Sequence, residues 1–146
     1  MDKTKQPGIS FDDIILAEEE FWRDYNVPAK LEVRLDIDLN VNTANNIAEM
    51  KTVLKLIPDN KEQESLRLIC KFVGFFSVIP GEENMDIEQY LMKNAPALMF
   101  PYIREHIYTI TQKSGIPAIR IPPLNVMALL ENKKAAIGEQ RKVENS

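Results

Sequence analysis

Residues 31–41 read LEVRLDIDLNV, and their alternation decides the fold. Leu31, Val33, Leu35, Ile37, Leu39 and Val41 fall on one side; Glu32, Arg34, Asp36, Asp38 and Asn40 fall on the other. A period of two sustained over this run predicts a strand with one apolar and one wet face. Downstream, NTANN (42–46) is rich in turn formers, and AEMKTVLKLIP (48–58), with Lys51 and Lys55 among alternating apolar positions, predicts an antiparallel partner. DNKEQ (59–63) makes the next turn. The run SLRLICKFVGFFSVI (65–79) then predicts a long strand in which Leu66, Leu68, Cys70 and Phe72 share one face. Arg67, Ile69, Lys71 and Val73 share the other, and Gly74 marks an expected bulge.

Upstream, ISFDDIILAEEEFW (9–22) fits a helical stripe at Phe11, Ile14, Ile15, Glu18, Phe21 and Trp22 as well as it fits a strand. A fourth strand completes a sheet better than a lone helix does, so a strand is expected. After PGEEN (80–84) the period becomes helical. MDIEQYLMKN (85–94) predicts a short helix with Ile87, Tyr90 and Leu91 on one side, and Asn94 is placed to cap a longer one that runs to about Ser114 and stops at Gly115. Pro101 lacks an N–H, and its ring presses on the carbonyl of Ala97, which predicts a bent or irregular first turn. IPAIRIPP (116–123) reads as an extended linker whose isoleucines are packed. A last helix is expected from near Leu124, dissolving into the mixed charges of NKKAAIGEQRKVENS (132–146). Strands first and helices afterwards give an α+β fold, a four-stranded antiparallel sheet with C-terminal helices packed on one side. No repeat or boundary divides it. Residues 1–146 are expected to form a single domain, ordered over about 9–130, with 131–146 a frayed tail.

Composition narrows the function. Hydrophobic residues at 45% and charged residues at 27% are ordinary for a globular chain. A net charge of -4 argues against a nucleic-acid binder, which presents a basic face to phosphates. Asp12, Asp13, Glu18, Glu19, Glu20 and Asp24 face Arg23 alone, so the acidity is concentrated near the N-terminus. Cys70 is the one cysteine, which excludes an intramolecular disulfide and fits a reducing compartment. The start MDKTKQPGISF is too polar for a signal peptide, and no apolar run approaches the ~20 residues of a bilayer span. A cytoplasmic address without membrane insertion is expected.

Catalytic chemistry is hard to assemble from these residues. Asp36 and Asp38 point the same way from one strand and are candidates for a divalent cation, but charged outer faces are the rule in antiparallel sheets. Arg104, Glu105 and His106 are adjacent in a helix and fan out around it. Cys70 lies among Leu68 and Phe72 with no cation to activate its thiol. No Gly-rich phosphate loop exists. An enzyme, a metal site and a cofactor are therefore not expected. Apolar surface, by contrast, is in surplus: Leu66, Leu68, Cys70 and Phe72 oppose Ile69 and Val73 on one strand, which points to a homo-oligomer, a binding groove, or both.

The stretch APALMFPYIREHIYTITQKSGIPAIRIPPLN (95–125) resembles the signature region of the SecB family of protein-export chaperones. The matching positions are Phe100, Pro101, Tyr102, Arg104, Glu105, Gly115, Ile116, Pro117, Pro123 and Asn125; LEVRLDID resembles the family's second strand and GFFSV the end of its fourth. The resemblance implies a four-stranded sheet backed by helices, dimers that pair into tetramers, and apolar grooves that hold unfolded client polypeptides without nucleotide or metal. It also implies that Val33, Leu35 and Ile37 line the groove, with Met127 and Leu130 on the opposite wall; the alternative is that all five are core. Leu66, Leu68, Cys70 and Phe72 are the expected oligomer interface. Export chaperones of this family meet the SecA motor through an acidic outer sheet, whereas the matching strand here carries Arg67 and Ile69, although Glu18 keeps the first strand acidic. The last helix loses its apolar stripe early, with Lys133 and Lys134 where the family continues apolar. The expected function is a holdase for non-native polypeptides, in export or otherwise. The alternatives are an adaptor or dedicated chaperone for one partner, such as an antitoxin, and a small enzyme using Asp36, Asp38 or His106.

Overall fold

In a computed structural model the described residues are 8–59, 61–81, 86–122 and 126–135, with side chains described as far as Leu130. Seven elements follow one another: β1 (Ile9–Arg23), β2 (Leu31–Asn42), β3 (Ile47–Pro58), β4 (Leu66–Val78), α1 (Ile87–Lys93), α2 (Ala95–Lys113) and α3 (Val126–Ala135). The ambiguous N-terminal segment is a strand. All pairings are antiparallel and the order is β1-β4-β3-β2, so β1 and β2 occupy opposite edges and the segment between them must cross one end of the sheet.

The β2–β3 register is unbroken from Leu31↔Pro58 to Asn42↔Ile47. Its turn is built by Asn42, whose Oδ1 accepts from the N–H groups of Ala44 (3.0 Å) and Asn45 (3.2 Å), while Asn46 takes the left-handed conformation at φ 56°. Irregularity falls on β1, where the register shifts between Phe11 and Asp13 and again between Leu16 and Glu18. The bulge expected at Gly74 is absent: β4 pairs with β3 without a break through Gly74↔Ala48. Glycine makes room there instead, since a Cβ would lie 2.9 Å from the Met99 sulfur and 3.1 Å from the Phe76 ring, and the Met99 side chain would have to shift.

One face of the sheet is covered by helices. Leu35, Ile37, Met50, Leu54, Leu56, Leu66 and Leu68 are buried beneath Leu91, Met99, Ile103 and Ile107 in a single cluster. Asp86 caps α1 by accepting from Gln89 N–H at 3.2 Å. Asn94 stands at the cap position of α2, but its side chain makes no capping bond. α2 is continuous from Ala95 to Lys113 with Pro101 inside it; the proline forfeits a donor to Ala97 without ending the helix. Gly115, at φ 83°, ends the helix as expected. The linker that follows is drawn back onto α2 by buried Thr111, whose hydroxyl donates to Ile107 O (2.7 Å) and accepts from Ile119 N–H (2.9 Å). Pro123 and Asn125 of the resemblance, and 136–146 of the expected tail, lie outside the described residues.

Candidate functional site

At the end of the sheet crossed by the β1–β2 connection, two loops face each other over the strand ends. The crossover supplies Val27, Pro28 and Ala29; the linker after α2 supplies Ile116, Pro117 and Ile119; Leu31 of β2 and Leu56 of β3 form the floor. The groove between them has a volume of about 240 Å³. Its lining carries no charged side chain. Pro28 and Pro117 fix φ and contribute no N–H, so these walls are extended and poor in donors. Ile119 and Leu56 are buried, whereas Val27, Pro28, Leu31 and Ile116 are half-buried and remain accessible.

Arg23, at the end of β1, anchors both walls. Its guanidinium donates to the carbonyl of Ser114 beside the linker, to Tyr25 O at 2.8 Å, and through Nε to Asp24 O at 2.8 Å. Asp24 N–H in turn donates to Ser65 O at 2.8 Å, fixing the crossover to the start of β4. The result is an apolar trough with fixed walls. Such a site accepts apolar side chains by burial, with little demand for a particular sequence.

The residues expected from the sequence to line a client groove do not line this one. Val33, Leu35, Ile37 and Leu130 are buried members of the core, and half-buried Met127 packs against it. β2 and α3 do come together as the resemblance implies, with Val126 and Leu130 buried and Met127 and Leu129 half-buried. Leu66, Leu68, Cys70 and Phe72, expected at an oligomer interface, are covered by the chain's own helices, with exposures of 0, 1, 0 and 8%. The helices that follow the sheet cover this face, while Ile69 and Val73 lie on the opposite, uncovered one. This groove was not read from the sequence, although two short apolar runs each holding a proline, VPA (27–29) and IPAI (116–119), were its visible signal.

The candidates for chemistry are likewise placed. Burial, with a smaller contribution from Glu19, pushes the Cys70 thiol up to about 12, which leaves it protonated and inert near neutrality. His106 pairs with Glu19 and stands edge-on to the Phe72 ring at 5.5 Å, joining α2 to β1. Asp38 lies opposite Lys51 and Asp36 opposite Val53. Among the described residues no group of three or more acidic, histidine or cysteine side chains could hold a metal ion, and no helix is long and apolar enough to cross a membrane. On the uncovered face Lys71 bonds Glu18 at 2.7 Å and stands 3.6 Å from Glu49. The hydrogen bond from Lys71 and its charge hold the Glu18 carboxyl below its usual value, and the same contact raises Lys71.

The profile of the family described as preprotein translocase subunit SecB matches residues 8–137. The chain belongs to the SecB family. Members of this family bind polypeptides as chaperones and do not act as enzymes. An uncharacterized protein of Methanocaldococcus jannaschii is 31% identical over 140 residues, covering 90% of this chain and 88% of the relative. The protein-export protein SecB of Rickettsia massiliae is 29% identical over 107 residues, covering 68% of each chain. Among solved structures, a Mycobacterium tuberculosis SecB-like chaperone in complex with a peptide from the HigA1 antitoxin superposes with a TM-score of 0.60 at 18% identity. That match covers 80% of this chain and 90% of the other, and it shows the shared fold.

Proposed function

We propose that this SecB-family chain is a cytoplasmic holdase that keeps non-native polypeptides from aggregating, and that clients enter through the groove between the crossover and the linker. The observation that carries the reading is an apolar lining that stays accessible between two anchored walls. Unfolded chains offer scattered apolar side chains and unsatisfied backbone groups, and a trough with few donors of its own selects for the former. The seam between β2 and α3 is core in this proposal, with Met127 at its rim. We further propose a homo-oligomer, a dimer or a dimer of dimers, assembled through the edge of β1. Ile15 and Leu16 are exposed there, at 43 and 41%, on a strand with one unpaired side.

The proposal does not extend to docking on SecA. Arg67 meets Glu20 at 3.7 Å and Glu64 at 3.5 Å, so the middle of the uncovered face presents paired charges beside half-buried Ile69. A second reading is a dedicated chaperone for one partner; it is favoured by the M. tuberculosis structural neighbour, which holds an antitoxin peptide. Aggregation assays without nucleotide, using several unrelated clients, separate the two. A general holdase protects most of them at stoichiometric concentration, and protection of a single partner alone would replace the first reading by the second.

A further inference from the structure

The linker borders a second depression that the proposal above leaves unused. It has a volume of about 380 Å³ and is bounded by Pro101, Arg104, Glu105 and Tyr108 of α2 and by Arg120 and Ile121 of the linker. Two guanidinium groups meet here, and among the described residues neither is in an ion pair. Arg104 lies over the Phe100 ring at 5.9 Å and sends one N–H to Ile121 O at a long 3.4 Å. Its Nε is buried and donates to nothing. Arg120 lies over the Tyr108 ring at 5.0 Å and donates to the Tyr108 hydroxyl at 3.2 Å. Glu105 is the opposing charge, with its carboxylate accepting from the Thr109 hydroxyl at 2.6 Å. The lining therefore keeps an excess of one positive charge.

We propose that this depression is an anion subsite that takes a carboxylate of a bound polypeptide, from an acidic side chain or from the chain's C-terminus. The proposal rests on the reading of the apolar groove as the client site. The buried Nε of Arg104 is closed to a ligand, so the donors it offers to an oxygen are the outer guanidinium nitrogens, one of which is held by Ile121 O at a long 3.4 Å. Stacking on an aromatic ring holds Arg120 in a fixed plane, so less freedom is lost when its fork engages a carboxylate. A carboxylate, with one charge, matches the excess of one; a phosphate dianion would overshoot it beside Glu105. Position supplies the rest of the argument. Ile119 lines the apolar groove and Arg120 lines this depression, and consecutive Cα atoms are about 3.8 Å apart. A client with an apolar side chain in the groove thus brings a carboxylate within reach a few residues away.

The test uses the full chain and unstructured fluorescent peptides with one apolar anchor. One pair carries Glu or Gln a few residues from the anchor; a second pair, lacking acidic side chains, ends in a free or an amidated C-terminus. Anisotropy titrations are expected to give the carboxylate member of at least one pair about five- to tenfold tighter binding at low salt. The pair that responds identifies the source. Arg120→Gln, at an exposed position, should abolish the advantage, and Glu105→Gln should enlarge it, while the Kd of the neutral peptides moves less than about twofold. Equal binding within both pairs, with the neutral peptides still bound, overturns the anion subsite alone. Failure of every peptide to bind overturns the groove reading and the subsite with it.

Discussion

At Gly74 an added methyl group would meet the Met99 sulfur at 2.9 Å and the Phe76 ring at 3.1 Å. Met99 is flexible enough to yield in part, so Gly74→Ala is expected to cost about 1–3 kcal/mol. A thermal melt checks it, and an unchanged Tm would mean that the Met99 side chain repacks without cost. The sequence pattern pointed to this glycine, yet periodicity along one strand carries no information about which helix lies across it, and the bulge was looked for in the wrong strand. The shifts lie in β1 near Asp12 and Ala17, which have no glycine to announce them. Charge pairing gives a second expectation at this scale. Glu18 is held below its usual 4.5 and Lys71 above its usual 10.5. For the lowered carboxyl, the pair's contribution is present above pH 4.5 and is lost as pH falls through the folded value. For the raised ammonium, it is present below pH 10.5 and is lost as pH rises through the folded value. The Tm gap between wild type and Lys71→Met should therefore be small but widest near neutrality, closing at both extremes. A gap that grew on acidification would contradict the pairing.

Among the elements, the two loops of the groove depend on Arg23 and the seam between β2 and α3 depends on packing. Arg23→Gln is expected to free both walls, which should appear as faster amide exchange over 24–30 and 114–119 and weaker client binding, with most of the stability retained. Leu130→Ala acts differently. Leu130 is buried in the core, so truncation should cost about 2–5 kcal/mol and leave client affinity per folded molecule unchanged. A loss of affinity without a drop in Tm would return the seam to the client site, as the family resemblance first suggested. β2 and α2 were legible because Leu31–Asn42 and Ala95–Lys113 each hold one period, whereas β1 fitted a helical stripe equally well and was assigned from its neighbours. The groove was not, because its lining comes from two loops and two strand ends that only the β1-β4-β3-β2 order brings together.

For the whole molecule, the helix-covered face of β4 is closed within one chain, and the proposed assembly runs through the edge of β1, where Ile15 and Leu16 are exposed. Light scattering at micromolar concentration is expected to report a dimer or tetramer. Substituting Ile15 and Leu16 with glutamate should split it into folded monomers. Phe72→Glu should instead unfold the chain, because it buries an unpaired charge in the core. A Phe72→Glu variant that stays folded and monomeric would restore β4 as the interface. The central claim, that non-native chains lie in the groove between crossover and linker, is tested most directly by cross-linking. A reduced, permanently unfolded client carrying photoreactive apolar side chains is bound, irradiated and mapped by mass spectrometry. Cross-links are expected to concentrate on Val27–Leu31 and Ile116–Ile119; cross-links confined to the uncovered sheet face, at Arg67–Val73 or Lys51–Lys55, would contradict the account.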